Sequence, residues 1–176
     1  MQMNGLSTDV SEDEALYREL FMPLFRYLFF RTSDHEVAND LTQAVFLKFL
    51  LQKERPRERE PAHRLLFTIA RTTLIDHYRV RGRRVTVSID TVPEFASDSP
   101  NPEEEAIKNE DKQFISAALA QLSHLEADIV SLRLSGDVSH ETIAEVAGVS
   151  VANARQIYSR ALKKVGGMLN PHDFLT

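Results

Sequence analysis

The chain has 176 residues, is 43% hydrophobic, carries a net charge of −5, and contains six histidines and no cysteine. The missing cysteines exclude disulfides and thiolate metal sites, and no two histidines stand at ligand spacing, so neither a metal nor a cofactor is expected. Every long apolar run is cut by a charge or a proline, and no signal peptide opens the sequence; a cytoplasmic protein without membrane insertion is expected.

Residues 1–10 are polar. From Ser11 a helical pattern runs to about Arg31, with Leu16, Leu20, Leu24 and Leu28 four apart and Phe21, Phe25 and Phe29 beside them. Pro23 predicts a kink or a second start inside it. Ser33 and Glu36 make a capping box for a second helix, which runs to about Gln52. Its inner stripe is Val37, Leu41 and Val45. Asp40, Gln43 and Lys48 lie off the stripe and Phe46 and Phe49 at its margin, more apolar surface than one stripe needs.

Lys53–Glu60 is a charged loop, and Pro61 suits the first turn of a third helix. Leu65, Leu66, Ile69, Ala70, Leu74 and Ile75 form its apolar side, and Gly82 is the expected end. Its last turns read DHYRVRGRR. An aromatic, Tyr78, set among Arg79, Arg81, Arg83 and Arg84 is chemistry that suits unstacked bases and single strands.

Residues 85–102 carry several prolines, Ser and Asp and no period, which predicts a flexible linker. An acidic run opens a helix from Glu103 to about Gln121. Ser123 and Glu126 form another capping box, for a helix that buries Leu125, Ile129 and Leu132. Ser139 caps the next, with Ile143 and Ala147 on one face and small Ala144 where helices cross. Gly148 supplies the turn, and Ser150 caps a last helix, Val151–Val165, with Ala154, Ile157, Ala161 and Val165 inward.

Those last two helices have the pattern of a helix-turn-helix, whose second helix can enter a major groove. Outside its apolar stripe that helix carries Asn153, Arg155, Gln156, Ser159, Arg160, Lys163 and Lys164 and no acid, side chains that suit base edges and phosphates. The basic charge is local. Residues 53–84 hold ten Lys and Arg against four acids, and Val151–Val165 adds four cations, in an otherwise acidic chain. Such a chain should bind free DNA poorly and touch it when something else holds it there.

The expected fold is all-α. Two small helical domains, residues 11–84 and 103–168, are joined by the linker 85–102.

The order of these motifs resembles an extracytoplasmic-function sigma factor, the small two-domain class within the sigma-70 family of bacterial RNA polymerase. LYRELFMPLFRYLFF is similar to the opening helices of sigma region 2, and DLTQAVFLKFL to its most characteristic segment. The resemblance implies that Asp40, Leu41, Gln43 and Phe46 bind core RNA polymerase. LLFTIARTTLIDHYRVRGRR is similar to the helix that melts and reads the minus-ten element, implying DNA contacts from Arg71, Tyr78, Arg79, Arg81, Arg83 and Arg84, with a flipped base held near residues 53–62. The second domain resembles region 4, whose helix-turn-helix reads the minus-thirty-five element, implying DNA contacts from Asn153, Arg155, Gln156, Ser159, Arg160 and Lys163. Leu65, Thr72 and Ala152-Asn153-Ala154 stand where the family usually has Trp, Asn and Gly-Thr-Val.

The implied function is transcription initiation with core RNA polymerase and promoter DNA as partners, an anti-sigma factor as a further partner, and no enzymatic step. Two alternatives stay open: a sigma-like decoy that sequesters an anti-sigma factor, and a stand-alone helix-turn-helix regulator.

Overall fold

The computed structural model describes residues 5–56, 58–85, 117–136 and 138–165, and the side chains of 13–56, 58–81, 117–136 and 138–165. Among the described residues, six helices stand out: α1 (Gly5–Thr32), α2 (His35–Leu50), α3 (Arg59–Val85), α4 (His124–Leu134), α5 (His140–Ala147) and α6 (Val151–Lys164). A further helical turn spans 117–120. No strand occurs among the described residues. The expected linker, the start of the helix from Glu103 and the tail after Val165 lie outside them.

Three expectations about the first half are corrected. α1 begins at Gly5, not Ser11, and passes through Pro23 without ending. Pro23 removes its own N–H and its ring crowds the preceding turn, while Leu20, Leu24, Tyr27 and Leu28 on either side of it are buried, and that burial outweighs the cost. The cap of α2 is Asp34, which accepts from the Val37 N–H at 3.0 Å. Ser33 instead takes a left-handed conformation, φ 55°, and donates its N–H to Phe29 O at 2.8 Å, closing the end of α1. Finally, α3 continues past Gly82 to Val85; one glycine costs a helix only about 1 kcal/mol.

The second half follows its local signals. Ser123 and Glu126 form a reciprocal capping box on α4. Ser139 accepts from Thr142 N–H on α5, and Ser150 from Asn153 N–H on α6. Gly148 ends α5 at φ 73°, where a Cβ would be strained although nothing crowds it. Ile143, Ala144 and Ala147 on α5 and Ala154, Ala161 and Val165 in and after α6 are buried, as their spacing predicts.

In the first unit, α1, α2 and α3 pack around Leu24, Leu28, Val45, Phe49, Leu66 and Phe67. The packing does not stop there. Ile129, Leu132, Val138 and Ile143 of the second unit belong to the same apolar cluster, and Phe30 of α1 joins a second cluster with Val130 and Leu134 of α4. α1 lies against α4, and α3 against α5. The two units therefore share a core, a feature for which the sequence carries no local signal.

Candidate functional site

Three surfaces bear the residues singled out by the sequence. The first is the outer face of α2. Asp40 and Gln43 are exposed on it. Leu41 is buried, and Phe46 is only 5% exposed, its ring 4.6 Å from that of Tyr17. Leu47 is 60% exposed and Leu51 72%, with Leu50 exposed between them. At 3.6 residues per turn, positions 40, 43, 47, 50 and 51 fall within about 100° of arc. The exposed face is thus two polar residues followed by three leucines, with Tyr17 and Met22 of α1 also exposed. Sequence reasoning passed over Leu47, although its spacing of four from Gln43 and seven from Asp40 was the available signal.

The second surface is the C-terminal half of α3. Arg79 and Arg81 are exposed, and Arg79 lies 3.5 Å from Asp76 one turn back. Arg83 and Arg84 are on the helix, but their side chains lie outside the described residues. Tyr78 is half-buried against the core and donates its hydroxyl hydrogen to Arg31 O. That burial pushes its phenol pKa up. Arg71 does not face solvent freely: its Nε donates to Asp128 Oδ2 at 3.0 Å. On the opposite flank of α3, a groove lined by Lys48, Leu51, Gln52, Thr68, Thr72 and Thr73 opens beside the loop from residue 53. Lys48 Nζ donates to Thr73 Oγ1 at 2.9 Å across it.

The third surface is α6. Asn153, Arg155, Gln156, Ser159, Arg160 and Lys163 are all exposed, within about 160° of arc. Buried Ala154 and Ala161 seat the opposite side. Lys164 turns away from this group and binds Glu126 Oε1 at 2.5 Å. That hydrogen bond, followed by the one from Ser123 N–H, holds the Glu126 carboxyl down at about 2. Glu126 thus closes the capping box of α4 with one oxygen and ties down the end of α6 with the other.

Among the described residues, no cluster of three or more His, Cys, Asp or Glu could hold a metal ion, and no helix is long and apolar enough to cross a membrane. The surfaces offer instead an apolar face, a groove and a cationic helix, which is equipment for binding.

Comparison with known proteins agrees with this equipment. The Sigma-70 region 2 family model matches residues 16–84, and the Sigma-70, region 4 model matches residues 118–165. The RNA polymerase sigma factor YlaC of Bacillus subtilis is 28% identical over 149 residues, 84% of this chain and 86% of YlaC. The ECF RNA polymerase sigma factor SigM of the same organism is 22% identical over 158 residues, covering 89% and 94%. The sigma factor RpoE from Bartonella quintana, solved in complex with the anti-sigma factor NepR, shares the fold with a TM-score of 0.61 at 22% identity, covering 88% of this chain and 96% of that one. With a region 2 that ends in a cationic helix and a region 4 that ends in an exposed recognition helix, the chain belongs to the sigma-70 family and is an extracytoplasmic-function RNA polymerase sigma factor.

Proposed function

We propose that the chain directs core RNA polymerase to promoters by binding alone, through three surfaces with separate duties. The outer face of α2, with Asp40, Gln43, Leu47, Leu50 and Leu51, docks on the polymerase, and Leu41 and Phe46 hold that face in shape from beneath. The end of α3, with Arg71, Tyr78, Arg79, Arg81, Arg83 and Arg84, engages the minus-ten strand. On α6, Asn153, Arg155, Gln156, Ser159, Arg160 and Lys163 read the minus-thirty-five duplex. Residues 11–84 and 103–168 act as separate units on the linker 85–102 once engaged, in the cytoplasm where the polymerase works. No step makes or breaks a covalent bond. The complex of RpoE with NepR supports an anti-sigma protein as a further partner.

One observation carries this assignment. A single chain pairs an exposed leucine-bearing helix face on its first unit with an exposed, acid-free cationic helix face on its second. Apolar exposure of that extent suits a protein partner, and the cationic face suits DNA. The test is transcription in vitro from mapped promoters with purified core polymerase. Specific transcripts that depend on added chain are expected. Their absence, with the chain folded, would remove the initiation role.

A further inference from the structure

Asp128 sits on α4, in the second unit, with a side chain only 6% exposed. Among the described residues, its hydrogen-bond donors come from the first unit. Oδ1 accepts from Arg31 Nε at 3.1 Å and from Tyr27 Oη at 3.3 Å, and Oδ2 accepts from Arg71 Nε at 3.0 Å. Two guanidinium groups and a phenol hydroxyl thus converge on one carboxylate. A second set of bonds lies along α3 and α5: Arg64 Nη1 donates to Glu145 Oε2 at 2.5 Å, and Ser139 and Thr142 both donate to Glu60 Oε2 at 3.2 Å. These polar contacts join the same two units whose apolar residues share one cluster.

We propose that Asp128 is an internal stand-in for a DNA phosphate: it clasps region 4 onto region 2 in the free chain, and an incoming phosphodiester displaces it from Arg31 and Arg71 when the chain opens on a promoter. This rests on the promoter-directing function above. Size requires the opening. A compact chain of this length has a radius of gyration of about 16 Å, hence is roughly 40 Å across. Elements named for positions ten and thirty-five are separated by about 25 base pairs, or about 85 Å at 3.4 Å each. The clasped chain cannot reach both.

The chemistry of the clasp selects its competitor. Arg binds carboxylate and phosphate with the same donors, so a phosphate can replace Asp128 without leaving either guanidinium unpaired. The route is present: Arg31, Arg71, Tyr78, Arg79, His124 and Asp128 line an open cleft. Desolvation of a buried ion pair offsets much of its attraction, so the pair adds little net stability, which suits a contact that must be released. Because Arg71 is held by Asp128, the free chain keeps a DNA-contacting group occupied until the second unit moves away.

The chain has no cysteine, so Arg18→Cys and Glu141→Cys, both at exposed positions on opposite units, allow a dye pair on the full-length protein. High energy transfer is expected in the free chain. Asp128→Asn and Arg31→Leu, approached from either side of the clasp, should each shift the population to low transfer, and core polymerase together with promoter DNA should do the same to the unsubstituted chain. Asp128→Asn should also bind a short single-stranded oligonucleotide about tenfold more tightly, since the binding-competent fraction rises. Circular dichroism checks that each variant is folded; should one fail, the other decides. Low transfer in the free unsubstituted chain, or unchanged transfer in the folded variants, would overturn the clasp. Failure of transcription by the unsubstituted chain would instead overturn the promoter function, because the transfer measurement on the free chain does not depend on it.

Discussion

Tyr78 donates its hydroxyl hydrogen to the backbone carbonyl of Arg31, forty-seven residues earlier in the chain. One bond therefore joins the end of α1 to the helix expected to hold the melted strand. The ring is packed against the core. Tyr78→Phe keeps the ring and leaves a part-buried carbonyl short of a partner, so it should cost about 1–2 kcal/mol in unfolding free energy. Tyr78→Ala should cost more and also impair promoter opening. Permanganate reactivity on duplex and pre-melted templates separates the two effects. An opening defect for Tyr78→Ala that shrinks on the pre-melted template means that the ring acts in unpairing. Equal defects on both templates would mean that this helix only grips phosphate.

Phe46 and Leu47 are neighbours with opposite duties. Phe46 is buried and Leu47 exposed. Phe46→Ala should destabilise the fold by about 3–5 kcal/mol, and polymerase binding should fall only with it. Leu47→Asp should leave thermal unfolding within about 0.5 kcal/mol of the parent. It should weaken binding to core polymerase by about tenfold or more, as an apolar contact is replaced by a desolvated charge. A binding titration beside a melting curve checks both. If Leu47→Asp binds normally, the outer face of α2 is not the docking surface.

This pair also shows what the sequence could and could not convey. Helix caps were legible because their chemistry is local: Ser123 with Glu126, Ser139 with Thr142, Ser150 with Asn153, each within three residues. The positive φ of Gly148 was legible for the same reason. The phase of α2 was harder, because a shift of one residue turns a side chain by about 100°. That is the difference between Phe46 inside and Leu47 outside. Ser33 and Asp34 show the same one-residue ambiguity at a cap. The clasp was not legible at all. A lone Asp128 in a helix carries no local signal, and its partners lie 57, 97 and 101 positions away.

Histidine burial predicts an acid-side loss of stability. Burial lowers the pKa of His63 despite Glu19 Oε1 at 3.5 Å from Nε2 and Glu60 nearby, and Arg59 adds to the lowering. His77 is lowered by burial first and by Arg81 second. Both are bases with native pKa values below the unfolded value of 6.5. Above that value both states are neutral and nothing is lost. As pH falls through 6.5 the unfolded chain binds protons first, so stability must fall. Glu126 adds to the loss lower down: its contribution is complete above the ordinary glutamate value of 4.5 and disappears as pH falls towards 2. The unfolding midpoint should decline from pH 7 to 5, and His63→Gln should flatten that slope. An unchanged slope would assign the decline to His77 and other groups.

Arg155 and Lys164 stand on one helix and should fail in different assays. Lys164 is bound to Glu126, which also completes the α4 capping box. Lys164→Ala removes a part-exposed ion pair worth about 0.2–1 kcal/mol, so a slightly lower melting point is expected, with promoter choice unchanged. Arg155 is exposed on α6 with Gln156 and Ser159, on the face proposed to read duplex DNA. Arg155→Ala should leave melting alone. It should cost about 1–3 kcal/mol in promoter binding by the assembled polymerase if it reads a base. On a template without the upstream element that cost should vanish, because no contact remains to be lost. A competition between templates with single-base changes in that element decides whether Arg155 reads a base or a phosphate. Relaxed preference at one position identifies a base contact; uniform weakening with a shallower salt dependence identifies a phosphate contact. A defect that persists on the template lacking the element would place Arg155 outside the recognition surface, and the duty would pass to Asn153, Gln156 and Arg160.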